Sequence, residues 1–208
     1  MLWSRRSPDS ATASRPVIED PIEHDSPALA ELFASLDAES GSRILDLGPA
    51  LASNFEHYSA IASVVRIVDL IRTEPLHRLV RLEADEFVHL LTRLLPIGAS
   101  VYDLILTWDL VNYLDHNQPD LVARHLAAVA NRNAKLHAMV VTSDSMPALP
   151  SRYELREPGR LVYRPTTSRT APAPNPTPAQ VESWLHPFRI QRSIVLRHGV
   201  REFIAVYP

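Results

Sequence analysis

Two acids, one glycine and an aromatic–amide cluster stand where this sequence could do chemistry. ILDLGPALASNF (44–55) reads as a strand closing on Asp46, a turn through Gly48 and a helix start carrying Asn54. A helix N-terminus offers free N–H groups and a partial positive charge, so such a turn suits an anionic ligand group. Asp69 ends the next β-branched run, VVRIVDL (64–70), at the distance where an acid in nucleotide-binding α/β folds accepts hydrogen bonds from ribose hydroxyls. TWDLVNYLD (107–115) follows a further apolar run and sets Trp108 and Asp109 at its end. Ligands of open parallel sheets sit outside the carboxyl ends of the strands. Each signal alone also reads as an ordinary turn, a solvated acid or core packing. Their agreement in position outweighs those readings.

The elements that must position these residues alternate. Short apolar runs at 43–47, 64–70, 101–108 and 135–142 read as strands, and 50–60, 74–95 and 119–133 carry helical spacing. A first helix is expected after Ser26 and Pro27, with Leu29, Leu32, Phe33 and Leu36 on one face. Alternating strands and helices predict a parallel sheet covered on both faces. RYELREPGRLVYRP (152–165) alternates about a Pro-Gly turn and reads as a hairpin. After a Pro-rich connector and a short helix opened by Thr177 and Pro178, two apolar strands (188–196 and 201–207) close the chain through His198-Gly199. The expected architecture is a Rossmann-like, doubly wound, mostly parallel α/β sheet with an antiparallel C-terminal hairpin. Residues 1–26, poor in apolar groups, are expected to be a disordered or loosely docked arm. Residues 27–208 then form one domain, with a Pro-rich arm inserted at about 147–176.

Composition narrows the chemistry. The 208 residues contain no cysteine, which excludes disulfides, thiolate metal sites and cysteine nucleophiles. Histidines do not fall at metal-ligand spacing, so no metal site is expected. No GxSxG elbow or GxxxxGK[ST] phosphate loop occurs. Net charge is −3, so nucleic acid is not an expected partner. The C-terminal part is nevertheless basic, with Arg152, Arg156, Arg160 and Arg164 four residues apart on the hairpin. No apolar run reaches the roughly 20 residues of a membrane span. The start, MLWSRRSPDS, lacks the apolar centre of a secretory signal. A cytoplasmic protein without membrane attachment is expected.

Taken together, ILDLGPALA (44–52), Asp69 and YDLILTWDLVNYLD (102–115) resemble the motifs of class I S-adenosylmethionine-dependent methyltransferases. The terminal hairpin resembles the antiparallel last strands of that fold. The resemblance covers about residues 26–208. It implies S-adenosylmethionine as cofactor, a pocket for its methionine part shaped by Asp46, Gly48 and Asn54, Asp69 on the ribose, and Trp108 and Asp109 at the reacting end. The chain departs where the family has its second and third glycines: Ala50 and Ala52 stand there, and Pro49 follows Gly48. A third strand with its adenine-side acid is also missing, with Glu83 and Asp85 the nearest acids.

Two functions follow. The chain is a methyltransferase acting on an unidentified small-molecule or protein acceptor, or it keeps the fold without catalysis and serves as a binding partner or scaffold. A nicotinamide dehydrogenase ranks below both, because GxGxxG is absent. No catalytic base is assigned; Tyr113, His116 and Tyr153 are candidates. Oligomerisation is possible and unspecified.

Overall fold

The computed structural model describes residues 21–36, 41–98, 101–115, 117–197 and 199–208. Chain order begins with β1 (Ile22–Asp25), α1 (Pro27–Ala34), β2 (Arg43–Asp46), α2 (Ala52–Ser59) and β3 (Val64–Ile67). Three helices follow, α3 (Leu70–Thr73), α4 (Leu76–Leu79) and α5 (Ala84–Leu94), before β4 (Tyr102–Leu106), a 3-10 turn (Leu110–Tyr113) and α6 (Gln118–Ala127). The remainder is β5 (Ala130–Val141), β6 (Ser145–Pro147), β7 (Arg152–Glu157), β8 (Arg160–Arg164), β9 (Thr170–Pro172), α7 (Pro178–Leu185), β10 (Arg189–Val195) and β11 (Val200–Val206).

The main sheet has the order β10-β11-β5-β4-β2-β3. β3, β2, β4 and β5 run parallel, and β11 and β10 close the sheet antiparallel. This is the Rossmann-like architecture with its terminal hairpin. Period-two alternation explains how short strands feed two cores. Leu45 and Ile105 enter one core, with α3–α7, whereas Ile44, Leu104 and Leu106 enter the other, with α1, α2 and the β7–β8 hairpin. α1 starts as expected: Ser26 Oγ accepts from the Leu29 N–H (3.3 Å), Pro27 occupies the first turn, and Leu29, Leu32 and Phe33 are buried. α7 opens with a reciprocal Thr177–Gln180 capping box.

Two features differ from expectation. Ile22–Asp25, assigned to the loose arm, form β1 and pair with Tyr163–Arg160 of β8; residues 1–20 lie outside the described part. The last helix before β5 ends at Ala127 rather than 133, because Asn131–Asn133 already belong to β5 and Asn133 takes a positive φ of 64°. Between β3 and β4 the described chain is helical, in line with the spacing of 74–95; Glu83 forms a capping box with Glu86 at the start of α5, and Asp85 lies in its first turn. Among the described residues no helix is long and apolar enough to cross a membrane. No described group of three or more His, Asp or Glu could hold a metal ion.

Candidate functional site: a cleft across the parallel strand ends

β2, β3 and β4 all end on one edge of the sheet, so the residues that follow them meet there. Gly48, Asp69, Trp108 and Asp109 line one cleft of about 260 Å3. Two arginines join them, Arg72 from α3 and Arg152 from β7. Asp69 is also the N-cap of α3, its Oδ1 accepting from the Arg72 N–H (2.9 Å). The segment after β5 crosses the same edge and contributes Pro150, Ser151 and Thr166 to the cleft wall.

Asp46 lies beneath this cleft and does not line it. Its side chain is fully buried and collects three donors: Gly48 N–H (2.7 Å) and Trp108 Nε1–H (2.6 Å) on Oδ1, and the Tyr58 hydroxyl (2.8 Å) on Oδ2. Burial pushes its carboxyl upward against these three bonds. The same burial, with the charge of Asp46, raises the Tyr58 hydroxyl. Asp46 therefore fixes the Gly48 turn to the Trp108 indole. A Cβ built on Gly48 would stand 2.7 Å from Trp108 Cδ1 and 2.8 Å from Nε1, so glycine is demanded by packing at this point. Trp108 itself has φ of 51°, a conformation that costs a bulky residue energy and is held here by its surroundings. Its indole stacks on Tyr153 (5.3 Å between centroids, 2° between planes) and meets His137 edge-on (5.9 Å, 80°).

Asn54 is likewise turned away from the cleft. Its Nδ2 donates to the Tyr153 carbonyl (2.9 Å) and its Oδ1 accepts from the Leu155 N–H (2.8 Å), clamping β7 onto α2. Sequence spacing placed Asn54 beside Gly48 but carried no sign of β7, about a hundred residues away. Behind the indole, His137 Nε2 lies 3.2 Å from Glu202 Oε1, and both side chains are wholly buried. Ser26 Oγ and the Ala28 N–H also donate to Glu202. Burial alone would raise the Glu202 carboxyl; the hydrogen bond and charge of His137, with these donors, hold it below its ordinary range.

Asp109 is the buried acid that lines this edge. Its Oδ2 accepts from the Ser151 N–H (3.2 Å) and the Tyr153 hydroxyl (3.1 Å). Burial pushes the carboxyl up to about 7 while those bonds pull the other way. Of the candidate bases, Tyr113 and Tyr153 are both driven upward by burial and by Asp109, so they stay protonated. His116 lies outside the described residues. The four spaced arginines divide: Arg160 pairs with Glu23 (2.8 Å), Arg164 with Glu154 (2.8 Å) and Arg156 more distantly with Glu154 (4.0 Å), whereas Arg152 faces the cleft. Arg72 and Arg152 escaped the sequence reading of the cofactor site because only the fold brings them to Gly48.

No protein-family profile and no curated protein matches this chain. Among solved structures it is similar to an S-adenosylmethionine-dependent methyltransferase from Aquifex aeolicus, with a TM-score of 0.50 and 13% identity over 87% of this chain and 90% of that one. It also matches the glycopeptide N-methyltransferase MtfA complexed with S-adenosylhomocysteine (TM-score 0.49, 15% identity, 88% of each chain). A third match is the N-methyltransferase NodS from Bradyrhizobium japonicum WM9 (TM-score 0.47, 13% identity, 86% of this chain and 94% of that one). The chain has the class I methyltransferase fold.

Proposed function

We propose that this chain is a methyltransferase that binds S-adenosylmethionine across the ends of β2, β3 and β4. The observation that carries the reading is the convergence of Gly48, Asp69, Trp108 and Asp109 on one cleft from three strand ends. The donor set suits the cofactor: a carboxylate at the end of β3 for ribose hydroxyls, and two arginines for an α-carboxylate. When bound, the cofactor supplies an activated methyl group on a sulfonium. Asp69 orients the sugar, Arg152 and Arg72 balance the amino-acid end, and the Gly48 turn keeps the chain close to the ligand. Asp109 holds or receives a proton at its carboxylate beside the acceptor. Positioning supplies most of the rate in a displacement of this kind.

One observation favours the non-catalytic reading. The Trp108 indole already rests on Gly48, and Asp46, which the resemblance places in the methionine pocket, is satisfied from within. Calorimetric titration with S-adenosylmethionine and S-adenosylhomocysteine separates the two. The methyltransferase reading expects both to bind and Asp69→Ala to weaken them roughly 10–100-fold, the worth of a charge-assisted hydrogen bond. No heat and no melting shift at saturating ligand leaves the fold in place and the scaffold as its function.

A further inference from the structure

A second cavity, of about 300 Å3, lies between the hairpin, the end of β5 and the turn joining β10 to β11. Met139, Val141 and Met146 give it an apolar wall, and Tyr113, Tyr153 and Tyr163 line it with aromatic carbon. Asp109 is the one described residue that lines both this cavity and the cleft holding Gly48 and Asp69. The hydroxyls nearest it are committed: Tyr153 donates to Asp109 and Tyr113 to the Leu149 carbonyl (3.1 Å). Among charged or titratable groups on the lining, His24 is half-buried and Arg197 is exposed to solvent, whereas Asp109 is buried. A buried carboxylate set among tyrosine rings and aliphatic walls complements a cation on a flat apolar body, through both charge and cation–π attraction.

We infer that this cavity is the acceptor site and that it takes a small aromatic amine, anchored through its nitrogen on Asp109. The inference rests on the methyltransferase reading and names the substrate class for it. Its size limits the guest to one ring and a short chain, at the lower end of small-ligand pockets. The nitrogen held at Asp109 sits at the junction of the two cavities. For methyl transfer the ammonium would first give a proton to the Asp109 carboxylate, and the freed lone pair would form the N–C bond as the bond from the methyl carbon to the sulfonium sulfur breaks, leaving S-adenosylhomocysteine.

Phenethylamine and its uncharged counterpart, phenethyl alcohol, are titrated calorimetrically into the full chain under conditions where Asp109 is ionised. The amine is expected to bind roughly tenfold or more tightly than the alcohol, and Asp109→Asn to abolish that preference. Because Asp109 also holds Ser151 and Tyr153, Ser145→Trp supplies an independent arm. Ser145 is exposed at the cavity edge, and a Trp there obstructs the amine while S-adenosylhomocysteine binds as before. Equal binding of amine and alcohol, or amine binding unaffected by Ser145→Trp, overturns the inference. S-adenosylhomocysteine binding without amine preference leaves the methyltransferase reading standing and removes the acceptor assignment. Amine binding without S-adenosylhomocysteine binding does the reverse: the cavity remains an amine site, and the reading it was attached to falls.

Discussion

Replacing Gly48 with alanine adds one methyl group where the nearest atoms belong to a side chain that has little freedom to retreat. The new carbon would stand 2.7–2.8 Å from the Trp108 indole and 3.1 Å from Asp46 Oδ1. The indole is pinned by its 2.6 Å bond to Asp46 and by its stack on Tyr153. Overpacking of this kind costs about 1–3 kcal/mol, and weakening a hydrogen bond to a buried carboxylate adds about 1.5–3 kcal/mol when it is fully lost. Gly48→Ala should therefore cost about 3 kcal/mol, or roughly 6–12 °C in Tm for a chain of this size. Gly48 has no positive φ, so the penalty is steric, and removing the clash partner should remove most of it. Trp108→Ala alone costs about 3–5 kcal/mol; adding Gly48→Ala to it should cost under about 1 kcal/mol. The double-mutant cycle, read by denaturant unfolding, then gives a coupling of about 2 kcal/mol. Equal cost of Gly48→Ala in both backgrounds, or a neutral effect in the parent, would refute the claim that indole packing requires this glycine.

Asp109, with its carboxyl raised from an ordinary 3.8 to about 7, favours the fold when protonated. Its contribution is full below about pH 4 and is lost as pH rises through about 7, a change of roughly 4 kcal/mol relative to Asp109→Asn across that window; parallel stability–pH curves for the two proteins would count against it. Asn54→Ala leaves the Tyr153 carbonyl and the Leu155 N–H without the amide that binds them, and urea unfolding should report a loss of about 3 kcal/mol. Arg160→Gln breaks an exposed pair with Glu23 and Arg164→Gln a half-buried pair with Glu154, and each should change stability by about 1 kcal/mol or less. Arg152→Gln, by contrast, should weaken S-adenosylhomocysteine with Tm unchanged, measured by titration and by melting.

The parallel strands were legible because their apolar runs are short, β-branched and bounded by Gly, Pro or acids, and their ends carried Gly48, Asp69, Trp108 and Asp109 to one cleft. β1 was not legible. Four residues, IEHD, alternate in burial only because β8 lies beside them, and their own sequence offers too little pattern to mark a strand. The stop of α6 was missed for a related reason: Ala130–Asn133 gain strand geometry from their pairing in the sheet rather than from propensity. At the site, sequence spacing sets Asp46 and Asn54 near Gly48, but local order does not say what packs above. The Trp108 indole closes over Asp46, and β7 takes both hydrogen-bonding ends of Asn54. Long-range partners set these contacts.

The hairpin that walls the cleft has a consequence for how the chain is made. β7 and β8 complete their three-stranded sheet with β1, and Asp25 pairs with Arg160. During synthesis β1 leaves the ribosome early and waits for its partner, on the order of ten seconds at usual elongation rates. Being short and carrying Glu23 and Asp25, it is a poor template for wrong pairing in the interval. The turn is then seated against α1: Gly159, with φ of 85°, accepts a hydrogen bond from the Ser26 N–H (2.7 Å), and any Cβ on it would strike Ala30. A nascent chain shorter than this lacks Pro150, Ser151, Arg152 and Thr166, which wall the cleft in the full chain.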